Sequence, residues 1–409
     1  MSPTHSTQRS GRDRIARICR PALAAVLVAW LSAGAVARAD ILVSDKLTND
    51  VLRYSNTGTP LGSFIVGGGT MPDGPIGVTF GPDGFLYVAS SNKNEILRYD
   101  RNGNFKDVFA SGGALQGPSD IQVGPDGNLY VSNFDNFAGT SIEVYDPWAS
   151  SPASRYVGTF ASASGSVPLF GPTFIEFGKN GHLFVSATAS DQVLEFTSSG
   201  SYVGVYASGT ALGFPAGLAF DSSNRLYVAS LLTGPILRDN GSANSGLSPY
   251  VPGTLNIDFP SDVQFDYNGD LLVSQLTGGG VFRYHEDPIT HKLTTTQITS
   301  GALQPGQFTW LPELGDANGD RLANGLDYIA WADHYNQTVR LGPAVGDFNS
   351  DMKVDGLDYI VWADHYTTMT ALASAALPVP EPATGTLAAV AIVCGLGIAV
   401  RRRRIATRC

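Results

Sequence analysis

The sequence predicts an all-β six-bladed β-propeller, followed by a small α domain of paired loop-helix units and a C-terminal transmembrane helix. Three observations carry this: a tandem repeat through most of the chain, a first strand that is missing where the array begins and returns where it ends, and an acidic loop-helix segment written twice after the array. The composition agrees. Of 409 residues, 43% are hydrophobic and 15% charged, with 47 Gly and 24 Pro, a mix that fits a packed, turn-rich β protein better than a disordered one.

The repeat unit opens at a proline. Pro75-Ile76-Gly77-Val78-Thr79-Phe80 leads into the turn GPDG and then Leu86-Tyr87-Val88-Ala89-Ser90; Pro118-Ser119-Asp120-Ile121-Gln122-Val123 leads into GPDG and Leu129-Tyr130-Val131-Ser132. The unit returns at Pro172, Pro215 and Pro260, at intervals of 43, 54, 43 and 45 residues. In each, a short strand meets a turn whose Gly or Asn supplies the positive φ of a tight hairpin. An apolar second strand follows, then a third such as EILRY or QVLEF and a more variable fourth. Four antiparallel strands in 40 to 45 residues make one propeller blade. Five units are complete. The stretch from Ile41 to Val66 supplies only second, third and fourth strands, and Pro305-Gly306-Gln307-Phe308-Thr309-Trp310 is a first strand with no blade after it. Together they make a sixth blade that closes the ring and removes the free edges of an open array.

Over residues 41–311 this pattern resembles the NHL family of propellers and the related gluconolactonase and streptogramin-lyase groups. The gluconolactonase resemblance implies a channel metal held by Asn, Asp or Glu directly after the blade prolines. Those positions are Ile76, Ser119, Thr173, Ala216 and Ser261, so that site is expected to be absent. The lyase resemblance implies a channel histidine, and His182, His285 and His291 are poorly placed for one. Polar residues expected near the channel mouth are Asp120, Asn133, Glu176, Asp262 and Gln275, the candidate ligand-binding set; capping of loops and buried backbone is their alternative role. No nucleophile–base or acid–base constellation can be assembled from them. Binding of a glycan or protein is therefore favoured, with a propeller hydrolase or lyase as the alternative.

The duplicated loop is the sharpest motif. Asp316, Asn318, Asp320, Asn324 and Asp327 fall at positions 1, 3, 5, 9 and 12, and Asp347, Asn349, Asp351, Asp355 and Asp358 repeat the spacing 31 residues later. Position 7, Leu322 or Lys353, offers its carbonyl. Hard oxygens at this spacing select calcium. Each loop runs into a helical segment in which Leu326, Ile329 and Ala330, or Leu357, Ile360 and Val361, share a side, so the two units are expected to pack together. Position 6, the usual glycine, is Arg321 or Met352, a conformational cost of about 1–2 kcal/mol if φ is positive. The segment 313–367 resembles a dockerin domain, which implies two bound calcium ions and a cohesin-like partner.

The ends are processing signals. A basic stretch, an apolar run and the small-x-small site Ala37-Arg38-Ala39 read as a signal peptide over residues 1–39, cut by signal peptidase; an uncleaved anchor is the alternative. After a linker at 368–378, Pro380-Glu381-Pro382, an apolar run and Arg401 to Arg404 resemble a PEP-CTERM sorting signal over 379–409. That implies cutting by an exosortase at the surface of a Gram-negative-type bacterium, with a plain tail anchor as the alternative. None of the three cysteines lies between Asp40 and Pro378, so no disulfide framework is expected. Residues 40–378 hold 15 Lys and Arg against 34 Asp and Glu, a net charge of −19 that disfavours nucleic acid and suits divalent cations.

Overall fold

The computed structural model describes residues 39–366, apart from 66–69, 136–138, 240–245, 252–256, 278 and 303. Residues 1–38 of the expected signal peptide, and the expected sorting tail with its membrane helix, lie outside the described residues, whereas Ala39 is described and buried. Among the described ones, no helix is long and apolar enough to cross a membrane.

The propeller has six four-stranded antiparallel sheets. Blades 2 to 6 each run in chain order from the channel outward, with innermost strands Pro75–Phe80, Pro118–Val123, Pro172–Phe177, Pro215–Phe220 and Pro260–Phe265. Blade 1 is assembled from both ends: Pro305–Trp310 pairs antiparallel with Ile41–Asp45, in the register Ile41↔Trp310, Leu42↔Thr309 and Val43↔Phe308. The returning strand expected from the sequence thus closes the ring.

The second strand of every blade is buried along its length, for example LYVAS at Leu86–Ser90 and LLVSQ at Leu271–Gln275. Neighbours cover both faces of each such sheet, so alternation gives way to continuous apolar runs. The core is divided into six clusters, one between each pair of adjacent blades. Edge-to-face aromatic pairs lie within several of them, such as Tyr87 with Phe109 and Tyr227 with Phe265.

Near the channel, a serine on the second strand ties one blade to the next. Ser44 Oγ donates to the Ile76 carbonyl at 2.6 Å, Ser132 to Thr173 at 2.6 Å, Ser186 to Ala216 at 2.5 Å and Ser274 to Gly306 at 2.8 Å. At the two remaining junctions, blades 2–3 and 5–6, glycine replaces the tie with close backbone approach. A Cβ on Gly77 would lie 2.5 Å from the Ser119 carbonyl oxygen, and one on Gly217 2.5 Å from Asp262 Cα. The two kinds of junction recur three blades apart, matching the near-identical strands PSDIQV in blade 3 and PSDVQF in blade 6.

Beyond blade 1, two helices, α1 (Gly325–His334) and α2 (Gly356–His365), form the small domain. Asn324 and Asp355 cap them, each in a reciprocal box with Asp327 or Asp358. The halves interlock by exchange: Trp331 Nε1 donates to the Asp355 carbonyl at 2.7 Å, and Trp362 Nε1 to the Asn324 carbonyl at 2.8 Å. This corrects the expectation that the shared apolar side packs the units together. Leu326, Ile329, Leu357 and Ile360 are 51–60% exposed, because tryptophan and tyrosine rings occupy the interface instead.

The small domain rests on the propeller face that carries the turns after the innermost strands. Arg340 pairs with Asp146 at 2.7 Å and Asn128 at 3.0 Å, and Trp148 Nε1 donates to the Arg340 carbonyl. Gly342, at φ +57, passes so close to the Pro82 carbonyl that a Cβ there would clash.

Phe308 is fully buried in the closing strand, between blades 6 and 1. Phe308→Ala is expected to lower unfolding stability by about 3–5 kcal/mol, read by urea denaturation, with the far-ultraviolet β signal retained.

Candidate functional site

The innermost strands converge on a channel that Phe174 divides in two, since it lines the cavity on either side. One cavity, of about 200 Å³, is walled by Ile76, Ser119, Thr173, Ala216, Ser261 and Gly306. These are the residues directly after the blade prolines, and they bring no carboxylate or side-chain amide to it.

The other cavity, about 310 Å³, is acidic. It collects Asp120, Glu176 and Asp262 from three blades, with Gln122, Gln264 and Gln307. Asp120 and Asp262 stand two residues after their prolines, and each reaches across to the next blade. Asp120 Oδ2 accepts the Ile175 N–H at 2.9 Å, and its Oδ1 accepts Gln307 Nε2 at 2.8 Å and the Ile121 N–H at 2.7 Å. Asp262 accepts from the Val263 N–H at 2.9 Å, Gln264 Nε2 at 3.1 Å and the Phe308 N–H at 3.3 Å. Gln307 completes the set by accepting the Val78 N–H at 2.7 Å.

Three carboxylates in one enclosed space resist simultaneous ionisation. Burial pushes Asp120 up to about 6, against the pull of its hydrogen bonds. Burial and the charge of Asp120 raise Asp262 well above the usual range. Glu176 is pushed up to about 8, by burial and then by the charges of Asp120 and Asp262, with no hydrogen bond opposing them. The chamber therefore holds protons near neutrality, and has the electrostatics to attract a cationic group or to donate a proton.

The other two residues of the sequence-derived set lie elsewhere. Asn133 bridges loops, accepting the Gln116 N–H at 3.0 Å and donating to the Ala114 carbonyl at 2.7 Å. Gln275 accepts the Asp258 N–H and donates to the Tyr284 hydroxyl. Gln122, Gln264, Gln307 and Phe174 were not in that set; the repetition of Asp-x-Gln in PSDIQV and PSDVQF is the signal that points to the first two. His182, His285 and His291 pair with Glu195, Asp270 and Glu286, away from the chamber.

The small domain holds the second group of functional candidates. In the first loop, carboxylate oxygens of Asp316, Asp320 and Asp327 lie within 4.8 Å of one another. Asp316 accepts the N–H of Gly319 and Arg321, Asp327 those of Ala317, Asn318 and Asn324, and Asn318 Oδ1 that of Asp320. The second loop repeats the scheme: Asp347 accepts from Asp351 and Met352, Asp358 from Asn349 and Asp355, and Asn349 Oδ1 from Asp351. Asp327, Asp347 and Asp358 are fully buried, and burial pushes Asp316 and Asp347 up to about 6. Leu322 and Lys353 occupy position 7 of the two loops, and both position-6 residues, Arg321 and Met352, adopt φ +69. The donor set is oxygen throughout, which fits a hard divalent cation.

A carboxyl raised in the folded state contributes stability that is full below its unfolded value and lost as pH rises through its folded value. Glu176→Gln is therefore expected to leave the melting midpoint unchanged at pH 4 and to raise it at pH 9, by about 2–4 °C per kcal/mol relieved, read by calorimetry at both pH values.

No family model and no curated protein matches this sequence. Among solved structures, a chain of a nidogen/laminin complex is 16% identical, with a TM-score of 0.52, covering 66% of this chain and 98% of that one. A catalytically inactive virginiamycin B lyase from Staphylococcus aureus, solved with quinupristin, is 15% identical with a TM-score of 0.48, covering 67% of this chain and 92% of that one. A streptogramin B lyase is 19% identical with a TM-score of 0.45, covering 66% and 77%. At such identities the likeness concerns the fold alone, and the fold is that of a six-bladed β-propeller.

Proposed function

We propose that this chain is an exported cell-surface protein with a non-catalytic binding and scaffolding role. Its propeller takes an extracellular glycan or protein, and its dockerin-type domain binds two calcium ions and joins it to a cohesin-like partner. Signal peptidase and an exosortase process its ends, and nucleic acid is not a partner. One observation carries the assembly role: the two loops have matching oxygen networks, and the helices after them expose matching apolar residues. Leu326 and Leu357 are 60% and 58% exposed, Ile329 and Ile360 51% and 53%. A duplicated apolar surface left outside the core is what a docking face requires.

Asp316, Asn318, Asp320, Asn324 and Asp327, with the Leu322 carbonyl, would hold one ion. Asp347, Asn349, Asp351, Asp355 and Asp358, with the Lys353 carbonyl, would hold the other. The bound ions would neutralise clustered carboxylates and fix the helix starts. A propeller hydrolase or lyase is the second reading, favoured by a raised Glu176 beside Asp120 and Asp262 in one chamber. Absence of turnover on lactone and lyase substrates would remove it.

Calcium at 100 times its dissociation constant is expected to stabilise the small domain by about 2.7 kcal/mol per site, read by scanning calorimetry, and Asp316→Ala with Asp347→Ala should abolish the gain. Leu326→Asp with Leu357→Asp should leave calcium binding intact and prevent calcium-dependent capture of a cohesin-type domain. Capture unaffected by that pair would place the interface elsewhere.

A further inference from the structure

The residue that breaks the glycine rule in the first loop also touches the propeller. Arg321 is 6% exposed, and its guanidinium carbon lies 3.2 Å from the Trp310 ring centre and 5.0 Å from that of Tyr267. Its backbone N–H donates to Asp316 Oδ2 at 2.7 Å. One residue thus joins an oxygen donor of the loop to two rings of the propeller. Those rings border the acidic chamber in sequence: Thr309 and Phe265 line it, and Trp310 and Tyr267 follow one and two residues later.

We propose that calcium binding in the first loop and the seating of the small domain on the propeller are a single coupled equilibrium, transmitted by Arg321. This rests on the calcium reading above. The backbone of Arg321 is held at φ +69, where glycine is the unstrained choice, so the conformation persists only while something compensates. On one side is the loop, whose carboxylates within 4.8 Å of one another repel unless a cation lies among them. On the other side is cation–π contact, strongest on tryptophan. Loss of calcium opens the loop, frees Arg321 from the left-handed region and withdraws the guanidinium from Trp310. Arg340, paired with Asp146 and Asn128 of blade 3, provides a second anchor that involves no loop oxygen. The small domain then pivots about blade 3 rather than detaching, and the seat that changes is the one beside the chamber. Met352 has the same backbone angle in the second loop but no charge to place on a ring, so the coupling belongs to the first loop.

Coupling is reciprocal. The test uses the full chain with calcium chloride or a chelator, reading calcium binding by titration calorimetry and hydrogen exchange of residues 305–311. Calcium is expected to slow exchange in that segment about two- to thirtyfold, the span of one cation–π contact. Trp310→Leu should weaken the first site by a similar factor and leave the second unchanged. Arg321→Gln keeps the backbone burden but removes the charge, and should lose the same protection without altering the propeller. Calcium binding equal in Trp310→Leu and wild type, with residues 305–311 indifferent to calcium, would overturn the coupling while sparing the calcium sites. No calcium heat in the wild type would bring down the calcium reading itself.

Discussion

The pairing of Pro305–Trp310 with Ile41–Asp45 is the interaction on which the rest of the molecule depends. It brings together residues more than 250 positions apart in the chain, and without it blade 1 would lack its channel strand and blade 6 a neighbour. The same strand furnishes three other things. Phe308 fills the cluster between blades 6 and 1, Gln307 links Asp120 to the Val78 N–H, and Trp310 receives Arg321. Ring closure, chamber construction and seating of the small domain therefore share one six-residue strand.

Around the ring, tension between packing and polarity is settled in two ways, by serine ties at four junctions and by close glycine approach at two. Innermost strands carry backbone groups that no fifth strand can satisfy, and buried groups of this kind require partners. Serines of the second strands meet some of the carbonyls, while Asp120, Asp262 and Gln307 meet N–H groups of the following blade. Two carboxylates in the channel thus have structural duties. Glu176 makes no such tie, and its raised titration follows first from burial and then from the charges of the other two. The acidic chamber is a by-product of tying blades together with aspartate, to which Glu176 adds one more carboxylate.

Some of the candidate site was legible in advance and some was not. Asp120, Glu176 and Asp262 stand out in the sequence as polar residues on channel strands, and the structure gathers all three. Asn133 and Gln275 end second strands, and a strand end leaves open whether a side chain turns to the channel or to the adjoining loop; both turn to loop partners. Position 6 of the duplicated acidic loops stands out in the sequence as a departure from glycine. Its positive φ follows from loop geometry, but the use of the arginine side chain depends on which ring lies opposite, and those rings come from blades 1 and 6. The helix faces show the limit of periodicity: it marks Leu326, Ile329, Leu357 and Ile360 as one stripe without saying whether the stripe is covered. Tryptophans exchanged between the halves fill the interface and leave the stripe in solvent.

The sequence by itself determined what depends on local spacing: the proline-to-proline period, the hairpin turns, the count of six blades, the oxygen positions in each loop and the capped helices after them. It also determined closure, because a lone first strand at the end of the array has one vacancy to fill. Tertiary structure alone decided which side chains share a cavity, which junctions take serine ties and which take glycine contact, and where the small domain rests. Those outcomes depend on the angle at which each twisted sheet meets the next. That angle is set by the summed packing of six interfaces and is encoded in no single stretch of chain.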